Sequence, residues 1–147
     1  MEFINQDVTT VDVGIVAHGV NCQRVMGSGV ALAIRNRWPE VYDSYRKNLA
    51  GEQVLGTAQF VQIDQLLYVA NCYTQLNYGR TGGPYADLYA IKRSLDATFA
   101  FAARKQLPVF MPRIGCGLGG LRWDEVESVI VELEGKYPSV TVTICDI

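Results

Sequence analysis

The sequence predicts an α/β fold in which a mixed, mostly parallel sheet of about six strands lies between helices. Three observations carry that prediction. The mostly apolar run inside "VDVGIVAHGV", residues 11–20, reads as a strand buried on both faces, as strands of parallel sheets are. Patterns with apolar residues every three or four positions alternate with such runs, as crossover helices require. Two β patterns, "TAQFVQI" and "LLYVANCY", are separated only by Asp64 and Gln65, so one hairpin is expected within the set.

Taken in order, residues 2–6 read as a short strand and residues 11–17 as a buried one that ends in His18 and Gly19. A loop containing Gly27 and Gly29 leads into "VALAIRNRW", helical by composition, which stops at Trp38; Pro39 then opens a second helix, "PEVYDSYRKNLA". The hairpin follows, and after it "NYGRTGGPY", dense in glycine, reads as an exposed loop. Between residues 86 and 106, Leu88, Ile91, Leu95, Phe99 and Ala102 recur at helical spacing and mark a long amphipathic helix. "LPVFMPRI" is the next buried strand. A final helix turns Val126, Val129, Ile130 and Leu133 inward, with Glu125, Glu127, Glu132 and Glu134 largely outside, and leads to the strand "SVTVTICDI". With the two consecutive helices counted together, the order is β, β, α, β, β, α, β, α, β. There is no internal repeat, low-complexity tract or linker, and 147 residues with 49% hydrophobic content are expected to form one domain.

A net charge of −2 and a pI near 5.3 lack the basic footprint of a protein that wraps long nucleic acid, while leaving room for a compact phosphate pocket. Cys22, Cys72, Cys116 and Cys145 form no C-x-x-C pair and the chain has one histidine, so reduced thiols and no metal site are expected. The start "MEFINQDVTT" has no basic region followed by an apolar run, and no stretch approaches membrane-spanning length. A cytoplasmic protein that needs no metal or cofactor is expected.

In "MPRIGCGLGGLRWDEV", Gly115, Gly117 and Gly120 spell a literal G-x-G-x-x-G. A dinucleotide fingerprint opens a sheet that several later strands complete, yet only 27 residues follow Gly120, and the acidic residue required about twenty positions on would fall near Val140. That reading fails. What survives is a glycine turn between strand and helix, where backbone amides approach a phosphate closely. "HGVNCQRVMGSGVA" has the same character near the start of the chain. In a doubly wound sheet both loops open beyond the carboxyl ends of strands, and two such loops facing each other can hold a diphosphate, helped by the dipole of the helix after Gly29. The alternative is that the glycines only permit tight turns.

"GIVAHGVNCQRVMGSGVALAIRNRWPEVYDSY" together with "MPRIGCGLGGLRWDEVESVI" resembles a macrodomain, within the branch that includes ADP-ribose 1''-phosphate phosphatases and deacylating ADP-ribosyl hydrolases. The resemblance covers essentially the whole chain. It implies a three-layer α/β/α fold with ADP-ribose in a crevice at the strand ends. Asp7 would accept a hydrogen bond from the adenine amino group with the Val8 backbone beside it, unless it only caps its turn through Thr9 or Thr10. Met26, Gly27, Ser28, Gly29 and Val30 would line one side of the diphosphate and distal ribose, and Ile114, Gly115, Cys116, Gly117, Leu118 and Gly119 the other.

Branch members that remove ADP-ribose from acidic side chains or DNA bases use a lysine after the central strand and, in some, an aspartate in the second glycine loop. This sequence has Asn71 and Cys72 at the first place and Gly119 at the second. Phosphatase-like relatives carry the histidine and asparagine that His18 and Asn21 match. The expectation is therefore metal-free hydrolysis of ADP-ribose 1''-phosphate, with His18, titrating near neutrality, protonating the departing ribose oxygen and Asn21 orienting the ribose. The alternatives are an ADP-ribosyl hydrolase acting on protein or nucleic acid, and a reader that releases ADP-ribose unchanged. His18 has its own alternative as a polar strand terminus bonded to backbone, and Cys72 reads better as a small buried hydrophobe than as a nucleophile.

Overall fold

The structure, a computed structural model, describes residues 1–79 and 83–147. The middle of the predicted loop at residues 77–85, Arg80, Thr81 and Gly82, lies outside the described residues. Six strands form one sheet: β1 (Glu2–Asn5), β2 (Gly14–Asn21), β3 (Ala58–Asp64), β4 (Leu67–Gln75), β5 (Val109–Met111) and β6 (Val142–Asp146), in the spatial order β1-β6-β5-β2-β4-β3. Only β3 runs antiparallel to its neighbour, through the hairpin to β4. The expected mixed, mostly parallel sheet is the one that forms.

Two apolar layers cover the sheet. Ile15 and Ala17 of β2 point into a core with Ile91, Leu95 and Phe99 of α3 (Leu88–Lys105) and Val126, Ile130 and Leu133 of α4 (Trp123–Lys136). Val16 and Val20, alternating with them, point into the opposite core with Ile34 of α1 (Gly29–Arg37) and Val41 and Tyr45 of α2 (Pro39–Lys47). Period-two alternation between two buried faces is why β2 has no polar side in its sequence. Trp38 closes α1 through its amide on the Ile34 carbonyl, 2.8 Å, and Pro39 starts α2, as the sequence indicates.

The boundaries of β2 differ from expectation in a way that matters. Residues 8–10 form a 3-10 turn capped by Asp7, so the strand begins at Gly14 and not at Val11. Gly14 has φ 134°, and a Cβ there would lie 2.9 Å from the Pro108 carbonyl, so glycine is required where the strand enters the sheet. The strand then runs through His18 as far as Asn21, which places His18 inside it. β5 is only three residues long because Pro108 and Pro112 flank it and have no amide to donate to a neighbour.

The topology sets the place of a site. From β2 the chain turns outward through α1 and α2 toward β3 and β4; from β5 it turns the other way through α4 to β6. β2 and β5 are hydrogen-bonded neighbours, so the strand order reverses between them. The carboxyl ends of β1, β6, β5, β2 and β4 share one edge, and four interstrand spacings of about 4.8 Å give it a length of about 19 Å. Among the described residues, no helix is long and apolar enough to cross a membrane.

Candidate functional site

A cavity of about 740 Å³ runs along that edge. Its floor takes one residue from the end of each parallel strand: Gln6 after β1, Asp146 of β6, Pro112 after β5, Asn21 of β2 and Gln75 of β4. The two glycine loops form opposite walls at the reversal between β2 and β5.

The first loop is held by Asn21. Its Oδ1 accepts hydrogen bonds from the Gln23 amide (2.9 Å) and the Tyr45 hydroxyl (2.8 Å), and its Nδ2 donates to the Val25 carbonyl (2.8 Å). Both ends of the amide thus hold the loop and α2, and one Nδ2–H is left over on a residue that lines the cavity. The loop delivers the chain to α1 with the helix start open. Ser28, the N-cap, makes no side-chain cap bond, and the first turn holds no acidic residue. The amides of Gly29, Val30 and Ala31 donate to nothing among the described residues, and all three residues line the cavity. An uncapped helix start supplies free donors and positive dipole charge, which favour an anion.

The second loop turns its carbonyls inward. Gly115 O accepts from the Leu121 amide (3.0 Å), Gly117 O from Gly120 (3.1 Å), and Gly119 O from Tyr85 and Ala86 (2.9 and 3.0 Å). The amides of Gly115, Gly117, Leu118 and Gly119 have no acceptor among the described residues. Its glycines have different reasons: a Cβ at Gly119 would lie 2.6 Å from the Gly115 carbonyl, whereas one at Gly117 meets nothing within 4 Å. Gly119 keeps the loop closed and Gly117 leaves the cavity open. Every residue expected to contact a ligand lines the cavity except Cys116, whose thiol turns to the Ile114 carbonyl (3.5 Å) and packs on the core beneath α3 and α4.

At the β1 end, Asp7 Oδ1 accepts from the amide and hydroxyl of Thr9 (2.9 and 2.7 Å), and these bonds hold the carboxyl below its usual range. The capping expectation is met, yet Oδ2 takes no hydrogen bond among the described residues and Asp7 lines the cavity. Beside it Arg113, in a two-bond ion pair with Asp146 (2.8 and 3.0 Å), lies against the rings of Phe3 and Trp123. Arg113, Asp146 and Thr74 were not singled out from the sequence. Each stands near the carboxyl end of a parallel strand, and that rule would have found them.

His18 sits beneath the cavity wall, 1% exposed, with Nε2 2.6 Å from Asn71 Oδ1 on β4. Its partner is a side chain on the next strand and not backbone. Burial, opposed by the Asn71 bond, lowers its pKa to about 4, so the expected titration near neutrality is replaced by a neutral imidazole. Nδ1 and the hydroxyl of Thr74 are buried without partners among the described residues. Cys72 is fully buried at 3.5 Å from Thr98 Oγ1, and burial pushes its thiol up to about 11, as befits a packing residue. Among the described residues no lysine lines the cavity and no cluster of three or more His, Cys, Asp or Glu is placed to hold a metal.

Residues 17–130 match the family described as Macro domain. Among curated relatives, the chain is 29% identical over 142 residues to the DNA ADP-ribosyl glycohydrolase of Mycobacterium tuberculosis, a match covering 94% of this chain but only 40% of that protein. The chain thus spans less than half of the length of that relative. It is also 25% identical over 141 residues to the ADP-ribose 1''-phosphate phosphatase of Candida albicans, covering 87% of this chain and 86% of the relative. Among solved structures, a macrodomain protein from Streptomyces coelicolor superposes with a TM-score of 0.81 at 30% identity, over 99% of this chain and 98% of that one.

The buried imidazole has a stability signature. Below its unfolded pKa near 6.5 the unfolded chain binds a proton that the folded state refuses, so stability falls as pH drops from 6.5 to about 4 and is flat above. Over that window the loss amounts to about 3 kcal/mol. Urea unfolding across pH 4 to 7 should show this component in the wild type and not in His18→Gln; parallel curves for the two would mean that His18 titrates normally.

Proposed function

This chain belongs to the Macro domain family, and we propose that it binds ADP-ribose along the cleft and hydrolyses ADP-ribose 1''-phosphate there to ADP-ribose and inorganic phosphate. One observation carries the reading: two sets of amides without partners among the described residues, those of Gly29, Val30 and Ala31 at the start of α1 and those of Gly115, Gly117, Leu118 and Gly119, belong to residues that line the same cavity. A diphosphate presents several acceptor oxygens and fits between them. The free oxygen of Asp7 then meets the adenine amino group toward the β1 end, and the distal ribose lies toward the ends of β2 and β4, beside His18 and Thr74. The names of both curated relatives support a hydrolase of ADP-ribose derivatives.

For the phosphate ester, His18 enters the reaction without a proton on its free nitrogen. A water oxygen attacks phosphorus and the bond from phosphorus to the anomeric oxygen breaks. The water proton passes to Nδ1 and the departing oxygen, on the opposite side of phosphorus, takes its proton from solvent, so His18 acts as the base. The amide rows spread the negative charge of the phosphoryl group. The four free thiols suit a reducing compartment, and the cytoplasm is the place we assign.

A second reading, removal of ADP-ribose from DNA, is favoured by the identity to the mycobacterial glycohydrolase. Parallel incubations with ADP-ribose 1''-phosphate and with an ADP-ribosylated oligonucleotide separate the two. Phosphate release from the ester, reduced about 10²- to 10⁴-fold in His18→Ala, is the expected result. Release of ADP-ribose from DNA with no phosphate from the ester would replace the first reading by the second.

Binding has its own tests. Gly117→Glu adds bulk and negative charge where the structure leaves open space, so it should fold normally and lose ADP-ribose binding by calorimetry. Asp7→Asn keeps the Oδ1 bonds to Thr9 but turns the free oxygen into a donor; affinity should fall by about 1 to 3 kcal/mol with thermal stability unchanged. Equal affinity of the wild type for ADP-ribose and its hypoxanthine analogue would remove Asp7 from adenine recognition.

A further inference from the structure

Three side chains on adjacent strands form one hydrogen-bonded row from α2 to the cleft. Gln59 of β3 donates through Nε2 to the Ser44 carbonyl (3.0 Å), Asn71 of β4 donates through Nδ2 to Gln59 Oε1 (3.0 Å), and Asn71 Oδ1 meets His18 Nε2 at 2.6 Å. The direction of the row is forced. A backbone carbonyl only accepts, so Gln59 turns its NH₂ to Ser44 and its oxygen to Asn71. Asn71 must then turn its NH₂ to Gln59 and its oxygen to His18. An amide oxygen also only accepts, so the hydrogen of the imidazole sits on Nε2. Nδ1 is left as a bare lone pair, buried without a partner among the described residues, on a side chain that lines the cavity.

We propose that Asn71 and Gln59 are positioning residues of this site: anchored on the Ser44 carbonyl, they hold His18 in the Nε2–H tautomer and so keep Nδ1, buried just beneath the cleft wall, as an acceptor for a hydroxyl donor that reaches it. A lone pair attracts the O–H of water or of a sugar and repels the oxygens of a phosphate. His18 therefore meets the attacking water or the distal ribose, while the loop amides meet the phosphates. This assignment rests on the reading of His18 as the proton acceptor in hydrolysis, and it deepens that reading by naming what fixes its tautomer.

The chain has a single histidine, so nitrogen-15 spectra of the imidazole ring report one residue without ambiguity. The free wild type at pH 7 should show the Nε2–H tautomer alone; the Nδ1–H form or a mixture would overturn the proposal. Gln59 is only partly buried, so its variants are expected to fold. Gln59→Leu removes the acceptor that orients the Asn71 amide and should give mixed tautomers. Gln59→Glu gives up the bond to the Ser44 carbonyl but keeps an acceptor facing Asn71, and should restore the pure Nε2–H form; a pure Nε2–H form in Gln59→Leu would dismiss Gln59 from the role. In turnover, Gln59→Leu should lower kcat by about tenfold or more at unchanged KM, with Gln59→Glu close to wild type. The tautomer is read without substrate, which keeps the two ideas apart. A wild type that shows Nε2–H but releases no phosphate removes the reaction and leaves the tautomer assignment standing. Phosphate release with Nδ1–H removes the positioning role alone.

Discussion

Between β2 and β5 two hydrogen-bonded parallel strands send the chain away in opposite directions, and most features of the site follow from that reversal. Ile15 lies opposite Val109 and Val16 opposite Phe110, so the strands themselves are in register. The loops that leave them diverge and cannot pair with each other. Amides are consequently left without acceptors among the described residues, on one side at Gly29, Val30 and Ala31 and on the other at Gly115, Gly117, Leu118 and Gly119. A gap walled by unpartnered donors is an anion site before any side chain is considered. This arrangement also explains how an acidic chain, with a net charge of −2, can suit a diphosphate. Arg113, the one cation at the cavity among the described residues, is already paired with Asp146, so the donors are fixed dipoles that need no reorganisation.

The polar groups inside the sheet are arranged with the same economy. Asn21 is bonded to its own loop and to Tyr45; Asn71 and Gln59 are bonded to each other; Ser94 and Thr98 return their hydroxyls to the backbone of α3. Buried polar atoms in folded proteins are nearly always satisfied in this way. Among the described residues the two exceptions, His18 Nδ1 and Thr74 Oγ1, belong to residues that line the cavity. Unsatisfied groups confined to a cleft are positions that a ligand or water completes, and they fall at the end of the cleft where the reading places the distal ribose. The glycines divide along the same line, with Gly119 serving closure of the loop and Gly117 serving access to the cavity.

The order of strands and helices, the hairpin, the Trp38–Pro39 break and the pairing of two glycine loops were all readable from residue periodicity and turn chemistry, because each depends on neighbours a few positions away. Local steric rules put Pro39 at the start of a helix, and a period of two or of three to four separates strand from helix without reference to the rest of the chain. Even the common edge of the two loops followed, since strand ends in a doubly wound sheet must share it. The residues named in the two loops line the cavity apart from Cys116, while Thr74, Arg113 and Asp146 join the lining only through the strand ends on which they stand.

What the residues of His18, Asn21 and Gln59 do was beyond the reach of local pattern. His18 looked like a strand terminus because the apolar run stops there, but the strand continues to Asn21 on hydrogen bonds to β4, which starts some fifty residues later. That pairing sets His18 opposite Asn71, and the hairpin register sets Asn71 opposite Gln59. Burial, the lowered pKa and the direction of the hydrogen-bonded row are all consequences of this cross-strand register. A sequence fixes short-range periodicity directly, whereas register between distant strands is chosen by packing both faces of the sheet at once, and only in the folded chain does the imidazole acquire its partner and its free nitrogen.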